Sequence, residues 1–411
     1  MKKNASNRDG STKGLSVWSV GGSIFAMFFG AGNIVFPLAL GYHFHNHPWL
    51  ACFGMTITAV VVPLLGLFAM LLYSGNYQNF FSSIGKIPGI IFIVAILCLI
   101  GPFGGIPRAI AVSHATLTSL FPTKAFFFST LHVFSLVCCV LIYLFACKLS
   151  KLIQWLGSVF FPIMLAALVW IIFRGLTIPG HPTTIPGPCA KQAWLSGVVE
   201  GFNTMDLLAA FFFCSIVLIS VRQMIAQKHG DSADETPLNF QNINRKDKQV
   251  IALGFVLAAV LLTSVYLGFA LCAARHSGLL AYVNKGQILG RISAIALGPN
   301  SLLTGICVFI ACLTTEIALV GIVSDFLARI IPSERMSYSN AVICILIPSY
   351  LISILNFENI SLLLLPLLQL SYPALIALTC GSIGYRLWNF RHVRALFYLT
   401  LSLTIILRLI S

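Results

Sequence analysis

The sequence feature that most constrains this chain is a hydrophobic stretch that is interrupted at its centre. The stretch covers residues 17–41, and its middle reads FAMFFGAGNIVFP, with Gly30, Gly32 and Asn33 close together. A helix in lipid satisfies its backbone N–H and C=O groups internally, so an interruption leaves some of them free. Free groups are tolerated at that depth only where protein or a wet cavity covers them.

A second interrupted stretch occurs at residues 201–206, which read GFNTMD. When the two halves of a membrane protein each contain an interrupted span in a corresponding position, the breaks point to the binding site of a transporter. The pair therefore predicts a ligand site between two halves of this chain.

Only a membrane environment suits the composition. Of the 411 residues, 58% are hydrophobic and 9% are charged, whereas soluble domains carry about 25% charged residues. We therefore expect an all-α polytopic membrane protein whose surroundings are the lipid bilayer. The net charge is +14, and the basic residues are scattered at the ends of the spans. This distribution favours contact with anionic lipid headgroups over binding of nucleic acid. No obligatory protein partner is evident from the sequence.

Apolar runs of about 20 residues predict the membrane spans. There are about eleven, at residues 17–41, 49–73, 88–121, 126–147, 152–173, 194–221, 250–274, 299–328, 337–355, 360–384 and 394–410. Seventeen Lys and Arg residues fall on the side of the N-terminus and seven on the opposite side. The positive-inside rule then places the N-terminus in the cytoplasm.

A link rich in Pro and Gly, residues 176–193, is expected outside the membrane and divides the chain. Residues 15–175 hold spans 1–5 and residues 194–385 hold spans 6–10, with a cytoplasmic tail at 1–14 and a last span at 386–411. Because five is odd, the second half has the opposite orientation to the first. The order predicts a five-plus-five inverted repeat with interrupted helices 1 and 6 and a site at the midplane.

Polar side chains accompany both breaks and suggest what binds there. A broken helix offers a positive N-terminus to a carboxylate and free carbonyls to a cation. Asn33 lies at the first break, and Asn203, Thr204 and Asp206 lie at the second. Helix packing by small residues is the alternative explanation for the glycines, but it does not account for Asn33.

The eighth span adds hydroxyl groups on one helical face. Ala311, Thr314 and Thr315 share a face by the i, i+3, i+4 spacing. Two hydroxyls with free carbonyls of a broken neighbour would form an oxygen shell for a small hard cation. The alternative is that both hydroxyls bond back to carbonyls one turn earlier, which is routine in membrane helices.

Three ionisable residues lie at depth, where charge is costly and marks function by default. For Arg108 we weigh an ion pair with Asp206 against a direct role. For Glu316 we weigh proton transfer against a hydrogen bond in a polar interior.

Other classes of protein find no support in the sequence. It contains no GxxxxGK[ST], GxSxG or HExxH pattern, so neither an ATP-driven pump nor an enzyme is expected. His43, His45 and His47 are expected to be solvated loop residues rather than a metal site. No catalytic residue, cofactor or metal is predicted, apart from a coupling ion, Na⁺ or H⁺.

Four segments resemble the bacterial branched-chain amino acid:cation symporter family, the BrnQ-type carriers. They are FAMFFGAGNIVFP (25–37), GPFGGIPRAIAVS (101–113), GFNTMDLLAA (201–210) and ACLTTEIALV (311–320), within a similarity that runs from about residue 15 to 390. The resemblance implies the leucine-transporter fold, a bacterial inner membrane location, and uptake of leucine, isoleucine and valine with sodium or protons.

The resemblance also implies roles for individual residues. The substrate would lie against two segments, formed by Gly30, Ala31, Gly32, Phe202, Asn203 and Thr204. Asn33 would bind a sodium ion beside the substrate. A second ion site would combine the eighth span with carbonyls of the first, at Ala311, Thr314, Thr315, Ala26 and Phe29.

The sequence departs from the family pattern in two places. Glu316 follows the paired threonines where a small or apolar residue is usual, and a carboxylate there favours protons as the coupling ion. The family usually has twelve spans against the eleven expected here. A carrier for another small neutral amino acid, or one that runs uncoupled, remains the alternative function.

Overall fold

The computed structural model describes residues 16–120, 130–147, 161–229, 244–331 and 336–410. Within these ranges the regular elements are all helical, as the composition predicts. The α-helices are α1 (Val17–Phe28), α2 (Ala31–His43), α3 (Pro48–Thr56), α4 (Val62–Leu72), α5 (Tyr77–Ser82), α6 (Lys86–Ile100), α7 (Gly105–Leu120), α8 (Leu131–Ala146), α9 (Phe161–Thr177), α10 (Ala190–Phe202), α11 (Asp206–His229), α12 (Arg245–Arg275), α13 (Ile288–Leu297), α14 (Ser301–Ile330), α15 (Tyr338–Ser353), α16 (Asn356–Trp388) and α17 (Val393–Ile410).

Each of the eleven predicted spans overlaps one of these helices or a consecutive pair. Seven described helices are long and apolar enough to cross a membrane, or eight if the bent pair α1–α2 counts as one span. Three further apolar helices, α8, α9 and α15, are shorter, so the number eleven stays a prediction. The tail at 1–14 and the first residues of the predicted spans at 126 and 152 lie outside the described ranges.

The first predicted break is a true interruption of the helix. α1 ends at Phe28, Phe29 and Gly30 adopt extended backbone, and α2 begins at Ala31. The two helix axes differ in direction by 76°. The backbone therefore leaves its helical hydrogen bonding where Gly30 was predicted to allow it.

The second predicted break is present but milder. α10 ends at Phe202 and α11 begins at Asp206, with Met205 at a φ of 60°. The N–H of Met205 donates to the carbonyl of Phe202, which closes a tight turn. Residues 190–215 nevertheless run as one apolar span without a bend above 40°.

The link between the halves is shorter than the predicted 176–193, because α9 extends to Thr177 and α10 starts at Ala190.

The packing of the spans repeats with an offset of five. Span 1 (α1–α2) packs along span 7 (α12), and span 6 (α10–α11) packs along span 2 (α3–α4). Span 5 (α9) contacts spans 7 and 8 (α14), while span 10 (α16) contacts spans 2 and 3 (α7). Span 3 contacts span 8, and span 4 (α8) contacts span 9 (α15). A two-fold relation that exchanges span n with span n+5 requires these paired contacts.

Glycines occur at equivalent close approaches in the two halves. A methyl group added at Gly41 of span 1 would lie 2.0 Å from the carbonyl oxygen of Ala270 in span 7. One added at Gly197 of span 6 would lie 2.0 Å from the carbonyl oxygen of Ala51 in span 2. Small residues at helix interfaces allow backbones to touch in membrane proteins, so both inter-half contacts depend on glycine.

Candidate functional site

The side chain of Asn33 connects the two breaks. Its amide nitrogen lies 2.7 Å from the carbonyl oxygen of Phe28, which the end of α1 leaves free. The same nitrogen is 2.9 Å from Oδ2 of Asp206 at the second break and 2.6 Å from the hydroxyl oxygen of Tyr266 on α12. All three side chains are buried. Asn33 therefore provides the polar partner that an interrupted helix needs at this depth.

Tyr266 is a member of this cluster that does not stand out in the sequence. It lies in the middle of an apolar helix, where a tyrosine is an ordinary packing residue. The available signal was its hydroxyl group, because a buried tyrosine O–H usually requires a hydrogen-bond partner. Nothing in the sequence indicated that the partner would be Asn33.

The N-termini of the two half-helices at the breaks differ in charge. α2 begins after Gly30, which provides no side-chain cap, and its first turn contains no acidic residue. α11 begins at Asp206, so a carboxylate lies in its first turn. A helix N-terminus attracts negative charge. The second N-terminus already has such a charge, whereas the first has none.

Arg108 on α7 reaches the second break from a neighbouring span. Its Nη2 donates to the backbone carbonyl of Asn203 at 2.6 Å. The guanidinium carbon lies 5.3 Å from the ring centre of Phe36 and 5.8 Å from that of Phe357. Only 3% of Arg108 is exposed. Two aromatic rings therefore hold a charged group between the two breaks.

The ion pair with Asp206, one of the two alternatives for Arg108, is not formed in the described part of the chain. Among the described residues the guanidinium makes no salt bridge, and the Asp206 carboxylate accepts from Asn33 instead. The physical reason lies in helix position, because Arg108 meets the carbonyl end of the break rather than the N-terminus of α11. Its Nε and Nη1 are buried without a hydrogen-bond partner.

A polar network extends from the second break to the segment before α13. The amide nitrogen of Asn203 donates to Oε2 of Glu200 at 2.7 Å, and Nζ of Lys285 pairs with Oε1 of Glu200 at 3.0 Å. The backbone N–H of Lys285 donates to Glu358 at 2.9 Å. These contacts tie α10 and α16 to the connection between α12 and α13. The side-chain oxygen Oδ1 of Asn203 is buried without a partner.

The remaining predicted substrate residues lie around the same point. Thr204 donates its hydroxyl to the carbonyl of Gly201 at 2.9 Å. A methyl group added at Gly32 would lie 3.2 Å from Cα of Thr204, so the two breaks touch there. Ala31 is buried as the first residue of α2, and the Phe202 ring lies 4.8 Å from that of Tyr372 on α16.

The eighth span meets the first break through Thr315. A methyl group added at Gly30 would lie 3.5 Å from the Thr315 side chain. Phe29 and Ala311 line one narrow apolar cleft between α14 and α9. Both Thr314 and Thr315 donate their hydroxyls to the Ala311 carbonyl, at 2.8 and 3.0 Å. Both hydroxyl hydrogens therefore bond back to a carbonyl one turn earlier, as the alternative explanation expects. The lone pairs of the two hydroxyl oxygens remain available to a cation. The half-buried Ala26 has no described contact with these residues.

Glu316 lies on a different face of α14 from Thr315. It is 1% exposed, and its Oε1 has no hydrogen-bond partner. Ionisable groups near it include the thiols of Cys138 and Cys139 on α8 and Cys312 on its own helix. The carboxyl group is therefore separate from the cluster at the first break.

The fold is that of several solved membrane transporters. The chain is similar to Mhp1, a nucleobase-cation-symport-1 family transporter in a closed conformation with bromovinylhydantoin, with a TM-score of 0.61, 14% identity and coverage of 94% of this chain and 84% of that one. It is also similar to a mutant of the manganese transporter of Eremococcus coleocola, with a TM-score of 0.56, 14% identity and coverage of 99% of this chain and 88% of that one. These similarities establish the all-α transporter fold with the five-plus-five repeat.

The family follows from sequence. Residues 13–411 match the family described as branched-chain amino acid transport protein, and the chain belongs to that family. Among curated relatives, the branched-chain amino acid permease BrnQ of Bacillus subtilis is 28% identical over 87% of this chain and 79% of its own. The branched-chain amino acid transport system 2 carrier protein of Pseudomonas aeruginosa is 28% identical over 92% and 82%. The resemblance drawn from four motifs is confirmed.

Proposed function

We propose that this protein imports leucine, isoleucine and valine across a bacterial inner membrane by symport with a cation. The observation that carries the proposal is the hydrogen bond between Asn33 and Asp206, 173 positions apart in the chain, which joins the two breaks at one point. Substrate and ion bound there would contact both halves of the repeat. Binding would then shift the balance between two states that differ in these contacts.

The cluster around Asn33 suits a small hard cation. Three oxygens, from the Phe28 carbonyl, the Asp206 carboxylate and the Tyr266 hydroxyl, lie within 2.9 Å of one amide nitrogen. The assignment of oxygen and nitrogen in an amide follows from its partners. Rotation of the Asn33 amide would direct its own oxygen to the same point and complete a shell of four oxygens. Such a shell matches the preference of hard cations.

A second candidate ion position lies between Thr315 and the first break. The free carbonyls near Ala26 and Phe29 would supply ligands together with Ala311, Thr314 and Thr315. The contact between Gly30 and Thr315 supports this position. Protons are the alternative coupling ion, and the buried carboxyl group of Glu316 is the group that would carry them.

Counterflow in proteoliposomes tests the proposed function. Vesicles loaded with unlabelled leucine should accumulate radiolabelled leucine, and isoleucine and valine should compete. Sodium and pH gradients are then imposed separately. Absence of saturable leucine exchange would reject the proposal, and exchange of another neutral amino acid alone would establish the alternative carrier. Leucine exchange that neither gradient drives would show an uncoupled carrier.

The variant Glu316→Gln separates the two coupling ions. If protons drive uptake, Glu316→Gln should abolish accumulation under a pH gradient and leave counterflow intact. If sodium drives uptake, the variant should retain sodium-dependent accumulation. Thr404→Ala on the last helix is a matched control, because Thr404 bonds only within its own helix.

The orientation of the N-terminus is testable by protease access to an N-terminal tag in intact cells.

A further inference from the structure

Arg108 is a buried charge whose hydrogen-bonding capacity is mostly unused. Nη2 donates to the Asn203 carbonyl, while Nε and Nη1 have no partner. An arginine has five N–H donors arranged in a rigid fork. A buried charge that lacks a counterion is strongly unfavourable unless function requires it. The pattern therefore indicates a site that is completed by a ligand rather than by the protein.

The protein's own carboxylates do not pair with the Arg108 guanidinium among the described residues. Besides the Tyr372 hydroxyl, the ionisable groups near enough to interact electrostatically with Arg108 are the carboxyl groups of Asp206 and Glu200. Asp206 accepts from Asn33 at 2.9 Å, and Glu200 is held by Lys285 and Asn203 at 3.0 and 2.7 Å. Each carboxylate thus has partners of its own, and neither forms a salt bridge with the guanidinium among the described residues.

The position of the guanidinium identifies what would fit. Nη2 lies 3.4 Å from the place where a methyl group at Gly32 would be, in the first turn of α2. The first N–H groups of a helix have no intrahelical acceptor and attract anions. The first turn of α2 has no acidic residue of its own. An uncapped helix N-terminus therefore lies next to a guanidinium that forms no salt bridge among the described residues, and both favour an anion.

We propose that Arg108 binds the carboxylate of the transported amino acid, together with the N-terminus of α2, and so makes a free carboxylate a requirement for transport. The inference rests on the proposed function and deepens it. A guanidinium binds a carboxylate through two parallel hydrogen bonds, a geometry that an amide or an alcohol cannot match. The unpartnered Oδ1 of Asn203 provides an acceptor nearby for the substrate ammonium group.

Competition against leucine counterflow tests this role. Leucinamide and leucinol keep the side chain and the amino group but lack the carboxylate. In the wild type, leucine should compete at least 100-fold better than either analogue. In Arg108→Gln, the apparent affinity for leucine should fall about 100-fold, while the apparent affinity for leucinamide should change less than 3-fold. The variant should then no longer distinguish leucine from leucinamide. Arg291→Gln, at an exposed arginine on α13, should leave both values unchanged.

Other outcomes contradict the role of Arg108. Equal competition by leucine and leucinamide in the wild type would overturn it while leaving the proposed function intact. Equal loss of both in a folded Arg108→Gln would show a purely structural residue. If Arg108→Gln does not fold, Arg108→Lys decides, because it retains the charge without the fork. A loss of about 10-fold for leucine alone supports the proposal, and equal losses or no loss overturn it. Absence of leucine counterflow in the wild type rejects the proposed function itself.

Discussion

The two breaks occupy equivalent positions in the repeat but are built differently. The first bends the span by 76°, opens at an extended Gly30 and leaves α2 without a cap. The second continues without a sharp bend, closes its turn with backbone hydrogen bonds and places Asp206 in the first turn of α11. The first break therefore needs a side chain, Asn33, to satisfy its free carbonyl, whereas the second satisfies much of its backbone locally.

The difference in charge suggests how a zwitterion is oriented. The free N-terminus of α2 and the Arg108 guanidinium, which lies between the two breaks, form a positive region beside Gly32. Asp206 provides a negative charge at the second, and its Oδ2 is one of the three oxygens around the Asn33 amide nitrogen. An amino acid placed between them would direct its carboxylate to the first break and its ammonium group, or the cation, to the second. Two breaks of the same design would not distinguish the two ends of the ligand.

The largest effect is expected at the residue that joins the breaks. Asn33→Ala removes the amide that contacts Phe28, Asp206 and Tyr266, and leaves their polar atoms buried. We expect loss of leucine counterflow and a free energy of unfolding lower by about 3 kcal/mol. Transport assays and thermal unfolding in detergent measure the two effects. Asn300→Ala, at an exposed asparagine, is the control. Wild-type transport by Asn33→Ala would show that the breaks function independently.

The charge at the second break is tested by Asp206→Asn, which keeps the shape and removes the carboxylate. A hydrogen bond to a charged group contributes about 2 kcal/mol, which corresponds to ~30-fold in affinity. We expect the cation concentration for half-maximal uptake to rise by that factor, with a smaller change for leucine. Uptake measured against sodium concentration and pH provides the value. Equal cation dependence in the variant and the wild type would remove Asp206 from the ion site.

The glycines of the first break should differ from each other. Gly32→Ala places a methyl group 3.2 Å from Thr204 Cα, so the two breaks must separate, and we expect at least 10-fold lower transport. Gly30→Ala meets Thr315 at 3.5 Å, an ordinary contact, and Gly30 has an extended backbone that alanine adopts. We expect less than a 3-fold change there. Initial uptake rates at matched expression compare them, and a reversed order would contradict the described contact.

The smallest effect is expected on the eighth span. Thr315→Ala removes a hydroxyl next to Gly30, whereas Thr314→Ala removes one with the same bond to Ala311 and no described contact with the break. We expect Thr315→Ala to raise the half-maximal cation concentration about 3-fold, a change worth ~0.7 kcal/mol that is typical of one neutral hydrogen bond. Thr314→Ala should change it less. Loss of cation and leucine affinity together would indicate a single merged site.

Much of the site could be predicted from polar and charged residues that occur within apolar spans. Asn33 is such a residue, because it follows Gly30 and Gly32 and precedes an apolar stretch. Asp206 and Arg108 are others, because burying a charged side chain in the membrane costs free energy. Tyr266 is not, because a tyrosine suits an apolar helix. For Arg108 the sequence left an ion pair with Asp206 open as one of two alternatives, and the structure shows the carbonyl of Asn203 as its hydrogen-bond partner. Opposite charges favour a pair in the sequence, but the distance between Arg108 and Asp206 depends on how two helices are placed.

The sequence by itself determined the membrane environment, the order of the spans, both interruptions and hence the inverted repeat. Those properties follow from local requirements, since hydrophobic length and backbone satisfaction act within one span. Only the tertiary structure decided which polar groups meet. The bonds of Asn33 to Tyr266 and of Arg108 to Asn203 join residues 233 and 95 positions apart. They depend on the rotation and offset of separate helices, and so does the orientation of Glu316 away from the break.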